Sequence, residues 1–332
     1  MNAALLKRLF GALQKGQGGD VAALCNKIVE SERRRGHKKL AAELERLAPN
    51  STDGSDTAKT ATAARPDNRA LAPLPVSRRD SAPLVQVIPH ERLRHHMILP
   101  SVVESRFMRI EKEYAARTRL ATFGLRARTR ILLHGPPGCG KSLGAERLAW
   151  ATGLPMHKVR FDSLISSYFG ETASNLRRVF EDAERRPCVL FLDECDTIAR
   201  SRLERNDVGE ASRVVNMFLQ LLEDFRAEGM VIAATNVDEA LDSAMFRRFD
   251  EVFEVPKPGR AEIARLLKTT LSAVEVGPMV SWTSLAQQLD GCSCSEVVQV
   301  GQSAAKRCVM TNRSTVEQAD FEGAVVELRR AP

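Results

Sequence analysis

Apolar residues fall along the chain in two kinds of run. Short continuous stretches at 131–133, 188–192 and 230–234 read as strands, and a further strand is expected near 157–161. The stretch at 188–192, bounded by Pro187 and by charge, suits a strand buried on both faces of a parallel sheet. Longer stretches predict helices at 102–118 and 143–151 and, beyond Pro256 and Pro258, at 260–271, 284–289, 295–310 and 316–329. Ahead of all these, Leu5, Leu6, Leu9, Phe10 and Leu13 form one helical stripe. Asp20 has the character of a cap for a second helix carrying Leu24, Cys25, Ile28 and Val29, and Leu40, Leu44 and Leu47 mark a third. The pattern divides the chain into a helical unit at 1–49, marginal alone at that size, a large α/β domain at 84–256 and a small helical domain at 257–332. Residues 50–83 carry Ser, Thr, Ala, Asp, Pro and Arg with almost no large apolar side chain, which predicts a flexible linker.

Composition adds limits. With 332 residues, 43% of them hydrophobic, the chain can bury more than one core. A net charge of +7 and a pI near 9.2 raise nucleic acid as a partner. The basic runs Arg33-Arg34-Arg35 and Lys38-Lys39 lie outside the α/β domain, however, and no zinc-finger or RNA-recognition signature accompanies them, so a nucleic-acid motor is the weaker alternative. Seven cysteines show no metal-ligand spacing, and Cys292 and Cys294 have no histidine nearby, so zinc is not expected. Their placement suits a reducing cytoplasm. Neither a long apolar segment nor a secretory leader is visible, so no membrane span is expected.

The chemistry concentrates after the strand at 131–133. Residues Gly135-Pro136-Pro137-Gly138-Cys139-Gly140-Lys141-Ser142 match G-x-x-x-x-G-K-[ST], followed by the helix that Leu143 opens. Glycines let the backbone turn its N–H groups toward polyphosphate oxygens, and the new helix adds the positive end of its dipole. Lys141 is expected on the β- and γ-phosphates of ATP and the Ser142 hydroxyl on Mg²⁺. Asp193 and Glu194 close the strand at 188–192, where ligands of parallel sheets sit. Asp193 suits the metal, and Glu194 suits a base that orients and deprotonates water. Asn236 ends the strand at 230–234, within reach of an attacking water and the γ-phosphate. Arg247 and Arg248 are adjacent guanidinium groups of the kind phosphoryl transfer profits from, often in trans. Cys139, beside amides directed at phosphate, is expected to have a lowered thiol pKa and weak redox sensitivity.

In order and spacing, the series 135–142, 190–194, 233–236 and 244–250 resembles the AAA ATPase module, over roughly residues 84–326. The resemblance implies a P-loop NTPase fold with a five-stranded parallel sheet flanked by helices, a small C-terminal helical lid, and a homo-oligomeric ring, usually a hexamer, with ATP at each subunit boundary. It gives Asn236 a sensor role and makes Arg247 and Arg248 fingers into the neighbouring site. The segment near Met97-Ile98 is expected to contact adenine. Tyr168, Phe169 and Gly170 stand where family members that thread polypeptide carry a pore loop, which implies a protein client gripped by the aromatic pair. Residues 291–296 stand where many relatives have a Gly-x-Ser-Gly-Ala-Asp turn, with Cys294 replacing the second glycine. In layout the chain resembles katanin and spastin. Its N-terminal segment is similar to bacterial stand-alone AAA proteins, some encoded beside subtilisin-like proteases, so a partner protease is a further expectation. The chain itself holds no G-x-S-x-G motif.

Overall fold

The computed structural model describes residues 74–77, 81–165, 169–196, 208–226, 228–236 and 246–330, all within the unit Asp67–Pro332. The helical unit expected at 1–49 and most of the expected linker lie outside the described residues. The folded unit begins ahead of the boundary expected at residue 84. Leu74 packs against the core, Ser77 is buried, and Val76 bridges Pro83.

Six strands form the main sheet. They are β1 (Val85–Ile88), β2 (Arg130–His134), β3 (Met156–Val159), β4 (Val189–Leu192), β5 (Met230–Thr235) and β6 (Glu251–Glu254), in the spatial order β1-β3-β4-β5-β2-β6. Five of them run parallel, as expected. The sixth, β1, pairs antiparallel with β3 along one edge. Only Val85 of that strand is fully buried, so its alternation is too weak to read as a strand from sequence.

Both faces are covered. Leu132, Leu190, Leu192, Val231 and Ala233 pack on one side with Leu176 and Phe180 of α5 (Phe169–Arg185) and Phe218 of α6 (Val208–Asp224). Ile131, Leu133, Phe191, Ile232 and Ala234 face the other side, against Phe107 and Ile110 of α1 (Ser101–Ala115) and Leu148 of α3 (Lys141–Thr152). Neighbouring residues of one strand thus serve opposite cores, which is why the central strands are apolar throughout. The short helices α2 (Arg117–Thr122) and α4 (Phe161–Leu164) complete this part. At Gly144 a Cβ would come within 2.8 Å of Phe107, so α3 and α1 meet closely there.

The C-terminal part is helical, as expected. It comprises α7 (Arg260–Thr270), α8 (Trp282–Gln288), α9 (Cys294–Met310) and α10 (Gln318–Arg330), around a separate core that includes Leu267, Leu285, Val300 and Phe321. A two-stranded parallel pair, β7 (Glu275–Val276) with β8 (Thr315–Val316), was not expected. It takes Val316 out of the helix read at 316–329, which starts instead at Gln318.

Candidate functional site

The sheet order puts the ends of β4, β5 and β2 side by side. His134 pairs with Thr235 and Leu192 with Ala233, so the chain leaves all three strands at one level. From β2 it enters the phosphate-loop motif. Gly138 and Gly140 take left-handed φ values of 72° and 98°, and Gly135 has φ 132° with a would-be Cβ 2.6 Å from the Val255 carbonyl oxygen. Side chains other than hydrogen would strain these turns. The helix α3 begins at Lys141, two residues earlier than expected.

Lys141 is buried, and its Nζ donates to the carbonyl oxygens of Gly135 and Pro136, at 2.8 Å each. An ammonium folded onto the rim of its own loop lies where it can transfer to a polyphosphate. Ser142 Oγ donates to Asp193 Oδ2 at 3.0 Å, and Lys158 Nζ from β3 donates to the same oxygen at 2.9 Å. Hydroxyl and carboxylate therefore converge on one point, the oxygen donor set that a hard divalent cation such as Mg²⁺ takes alongside phosphate oxygens. Sequence reading missed Lys158, whose place depends on β3 lying beside β4.

Glu194 is exposed and has φ 55°, a left-handed conformation uncommon outside glycine and costing of order 1–3 kcal/mol. The next two residues pin the turn. Cys195 N–H donates to Ala234 O at 2.9 Å, and Thr235 Oγ1 donates to Asp196 Oδ1 at 3.2 Å, with Cys195, Thr235 and Asp196 all buried. These bonds hold the turn bearing Glu194 against the strand end bearing exposed Asn236.

The lid closes on the loop directly. Ser295 donates to the Gly138 carbonyl through both its N–H, at 3.0 Å, and its hydroxyl, at 3.1 Å. A Cβ at Gly138 would meet Ser293 Oγ at 2.9 Å. The sequence change at Cys294 leaves the turn well formed. Gly291 supplies the left-handed residue, while Ser293 and Glu296 make a reciprocal capping box that starts α9 at Cys294. The Ser-x-x-Glu spacing of that box was the signal available in the sequence. Met97 also reaches the loop, with its methyl 3.4 Å from the Cβ position of Gly140.

The expected activation of Cys139 is not found. Burial pushes its thiol above the ordinary value, outweighing the Cys294 backbone N–H and the charges of Lys141 and Lys257. The residue is 1% exposed and its Sγ points toward Pro137 O at 3.8 Å. Without a thiolate or access to oxidant, the redox expectation loses its basis.

The two arginines separate. Arg248 forms an ion pair with Glu223 of α6 in its own chain, whereas Arg247 is exposed. Tyr168 lies outside the described residues. Phe169 opens α5 and Gly170 is exposed in its first turn. Among the described residues no helix is long and apolar enough to cross a membrane.

Residues 131–257 match the family described as ATPase family associated with various cellular activities (AAA). Over 326 residues the chain is 36% identical to the uncharacterized AAA family ATPase y4kL of Sinorhizobium fredii, covering 98% of this chain and 95% of that protein. It is 35% identical over 202 residues to the proteasome-activating nucleotidase of Methanothermobacter thermautotrophicus, with 59% of this chain and 49% of that one covered. With the ATP-dependent zinc metalloprotease FtsH 1 of Salinibacter ruber it shares 34% over 204 residues, 59% of this chain and 30% of the other. The chain thus spans nearly all of the first relative and half or less of the other two. A match that runs from end to end of one member, on a fold whose strand ends gather these motifs, means that the chain belongs to the AAA family of ATPases.

Proposed function

We propose that copies of this chain form a ring, bind ATP with Mg²⁺ at loop 135–143, and use its hydrolysis to remodel, unfold or thread protein clients. The observation that carries the reading is the exposure of Arg247 beside an Arg248 held by its own chain. A guanidinium presented outward is suited to the nucleotide of a neighbouring copy, with Arg248 fixing the backbone from which it extends.

Within one copy, the loop N–H groups and the α3 terminus receive the phosphates. Lys141 exchanges two carbonyl partners for β- and γ-phosphate oxygens. Ser142 and Asp193 would hold Mg²⁺, which would supply Lewis-acid withdrawal of charge from the phosphoryl oxygens. Glu194 orients a water and accepts its proton, and Asn236 contacts that water and the γ-phosphate. Lys158 competes with the metal for Asp193. Lys158→Met is therefore expected to lower the Mg²⁺ concentration for half-maximal ATP turnover about threefold to fivefold, in line with a partly exposed ion pair worth up to about 1 kcal/mol. An unchanged magnesium titration would remove that competition from the account.

Protein is favoured as the client because Tyr168, Phe169 and Gly170 match in sequence the aromatic–hydrophobic–Gly pattern of polypeptide-threading relatives, and Phe169 and exposed Gly170 open α5, the element that follows β3 and α4. The names of two relatives also join nucleotide use to a protease or the proteasome. The test is unfolding of a fluorescent protein carrying an unstructured tail, with ATP turnover followed in parallel. Tyr168→Ala is expected to slow unfolding at least tenfold, out of proportion to any change in turnover. Unfolding at the parent rate would overturn the pore assignment. Hydrolysis stimulated by DNA or RNA, with no unfolding, would replace it with a nucleic-acid motor. A stoichiometric complex with a partner protease and no unfolding would replace it with a regulator.

A further inference from the structure

At the opposite end of the same strands lies a second cavity, of about 600 Å³, a volume typical of ligand sites. Arg130 begins β2 and Gly135 follows its end, so the strand alone separates the cavity from the phosphate loop by about 13 Å at its rise per residue. Five arginines line the cavity, at 117, 126, 128, 130 and 226, against two carboxylates, Glu228 and Asp250.

The arginines are of two kinds. Arg130 donates through Nε and Nη2 to Asp250 Oδ1, and Arg128 pairs with Glu113 and Glu251. These two belong to the fold. Among the described residues the other three have no carboxylate partner. Arg117 lies over the Tyr114 ring at 4.5 Å and donates to the Tyr114 carbonyl. Arg226 donates to the carbonyls of Glu223 and Phe225, and Arg126 is exposed on the connection between α2 and β2. Three guanidinium groups with unspent donors around one concavity are a site for an anion.

The walls narrow its class. Leu125 stands exposed at the cavity and Phe123 is exposed two residues earlier on the same connection, at 57% and 72%. Bare phosphate gains nothing from such apolar surface. The two rings in the lining give a nucleobase no face to stack on, because Tyr114 and Phe225 are each only 3% exposed and Tyr114 is already covered by Arg117, while exposed Phe123 lies outside the lining. We propose that this cavity docks an acidic peptide segment of a partner protein, with carboxylates on Arg117, Arg126 and Arg226 and an apolar side chain between them on Leu125 and Phe123. The site is separate from the nucleotide site and does not rest on the reading of clients above.

The test uses the full chain and a fluorescent peptide of alternating Glu and Leu, followed by anisotropy with saturating ADP present. Saturable binding is expected, because the two sites do not overlap. Combined replacement of Arg117, Arg126 and Arg226 by Ala should weaken it at least tenfold and leave ADP affinity unchanged. Should that variant fail to fold, Arg126→Glu, on an exposed connection, serves alone and should weaken binding at least threefold. Peptide affinity unchanged in the folded variants would overturn the proposal. So would displacement by inorganic pyrophosphate at concentrations below those of unlabelled peptide, which would mark a phosphate site. Tighter binding of a short oligothymidylate, lost in the same variants, would overturn it in favour of nucleic acid.

Discussion

Replacing Glu194 by Gln should slow ATP turnover by about 10²- to 10⁴-fold, equivalent to raising the barrier by about 3–5 kcal/mol, while nucleotide affinity stays within about threefold of the parent. The substitution keeps the size of the side chain and a hydrogen-bonding oxygen but removes the group that can take a proton from water. Its neighbours are built to survive the change. Asp193 keeps its bonds from Ser142 and Lys158, and the turn stays pinned through Cys195 and Asp196. The left-handed backbone at 194 is as uncommon for Gln as for Glu, so the strain is common to both proteins. Single-turnover hydrolysis beside equilibrium binding of a fluorescent nucleotide separates the two quantities. Turnover within tenfold of the parent would assign the base elsewhere. Loss of nucleotide binding would mean that the loop had been damaged rather than the chemistry.

Gly229→Ala should destabilise the α/β domain by about 3 kcal/mol or more, enough to unfold many domains of this kind. A Cβ at 229 would lie 2.2 Å from the Cys188 carbonyl oxygen and 3.0 Å from its nitrogen. Neither atom can turn aside, because both belong to main chain. Met230 N–H donates to that same oxygen at 3.0 Å, where pairing of β4 with β5 begins. Relief therefore requires parting two central strands. Gly153→Ala is the matched comparison. Its φ of 74° also disfavours Ala, yet no atom stands within 4 Å of the new methyl, so the expected loss is about 1 kcal/mol. Urea midpoints of the two variants measure the difference. Equal midpoints would show that strands β4 and β5 do not approach as closely as described.

Much of the site was legible because its residues are contiguous. The loop at 135–142, the acidic pair at 193–194 and the amide at 236 each follow an apolar run with at most one residue between, and such runs in parallel sheets deliver their ends to one edge. Lys158 was hidden for the opposite reason. Its role depends on which strand lies beside β4, and nothing within its own segment distinguishes it from a solvated lysine. Strand β1 escaped notice because it is an edge strand with one fully buried residue, and β7 and β8 because two residues are too few to show a period. Cys139 was misjudged from its neighbours in sequence, where dipoles and charge argued for a thiolate. Burial in the core beneath the sheet's second face decides the matter the other way, against the Cys294 backbone N–H. The Ser293–Glu296 box was fully visible, but that it would land on Gly138 was not.

That landing has a mechanical consequence. Both donors of Ser295 end on one carbonyl of the cradle, and Ser293 fills the space a side chain at 138 would need. The helical C-terminal part is therefore strapped to a peptide plane of the loop proposed above to take the phosphates. Any rotation of that peptide plane would be levered along the 17 residues of α9, and the far end of that helix would sweep a wider arc than its start.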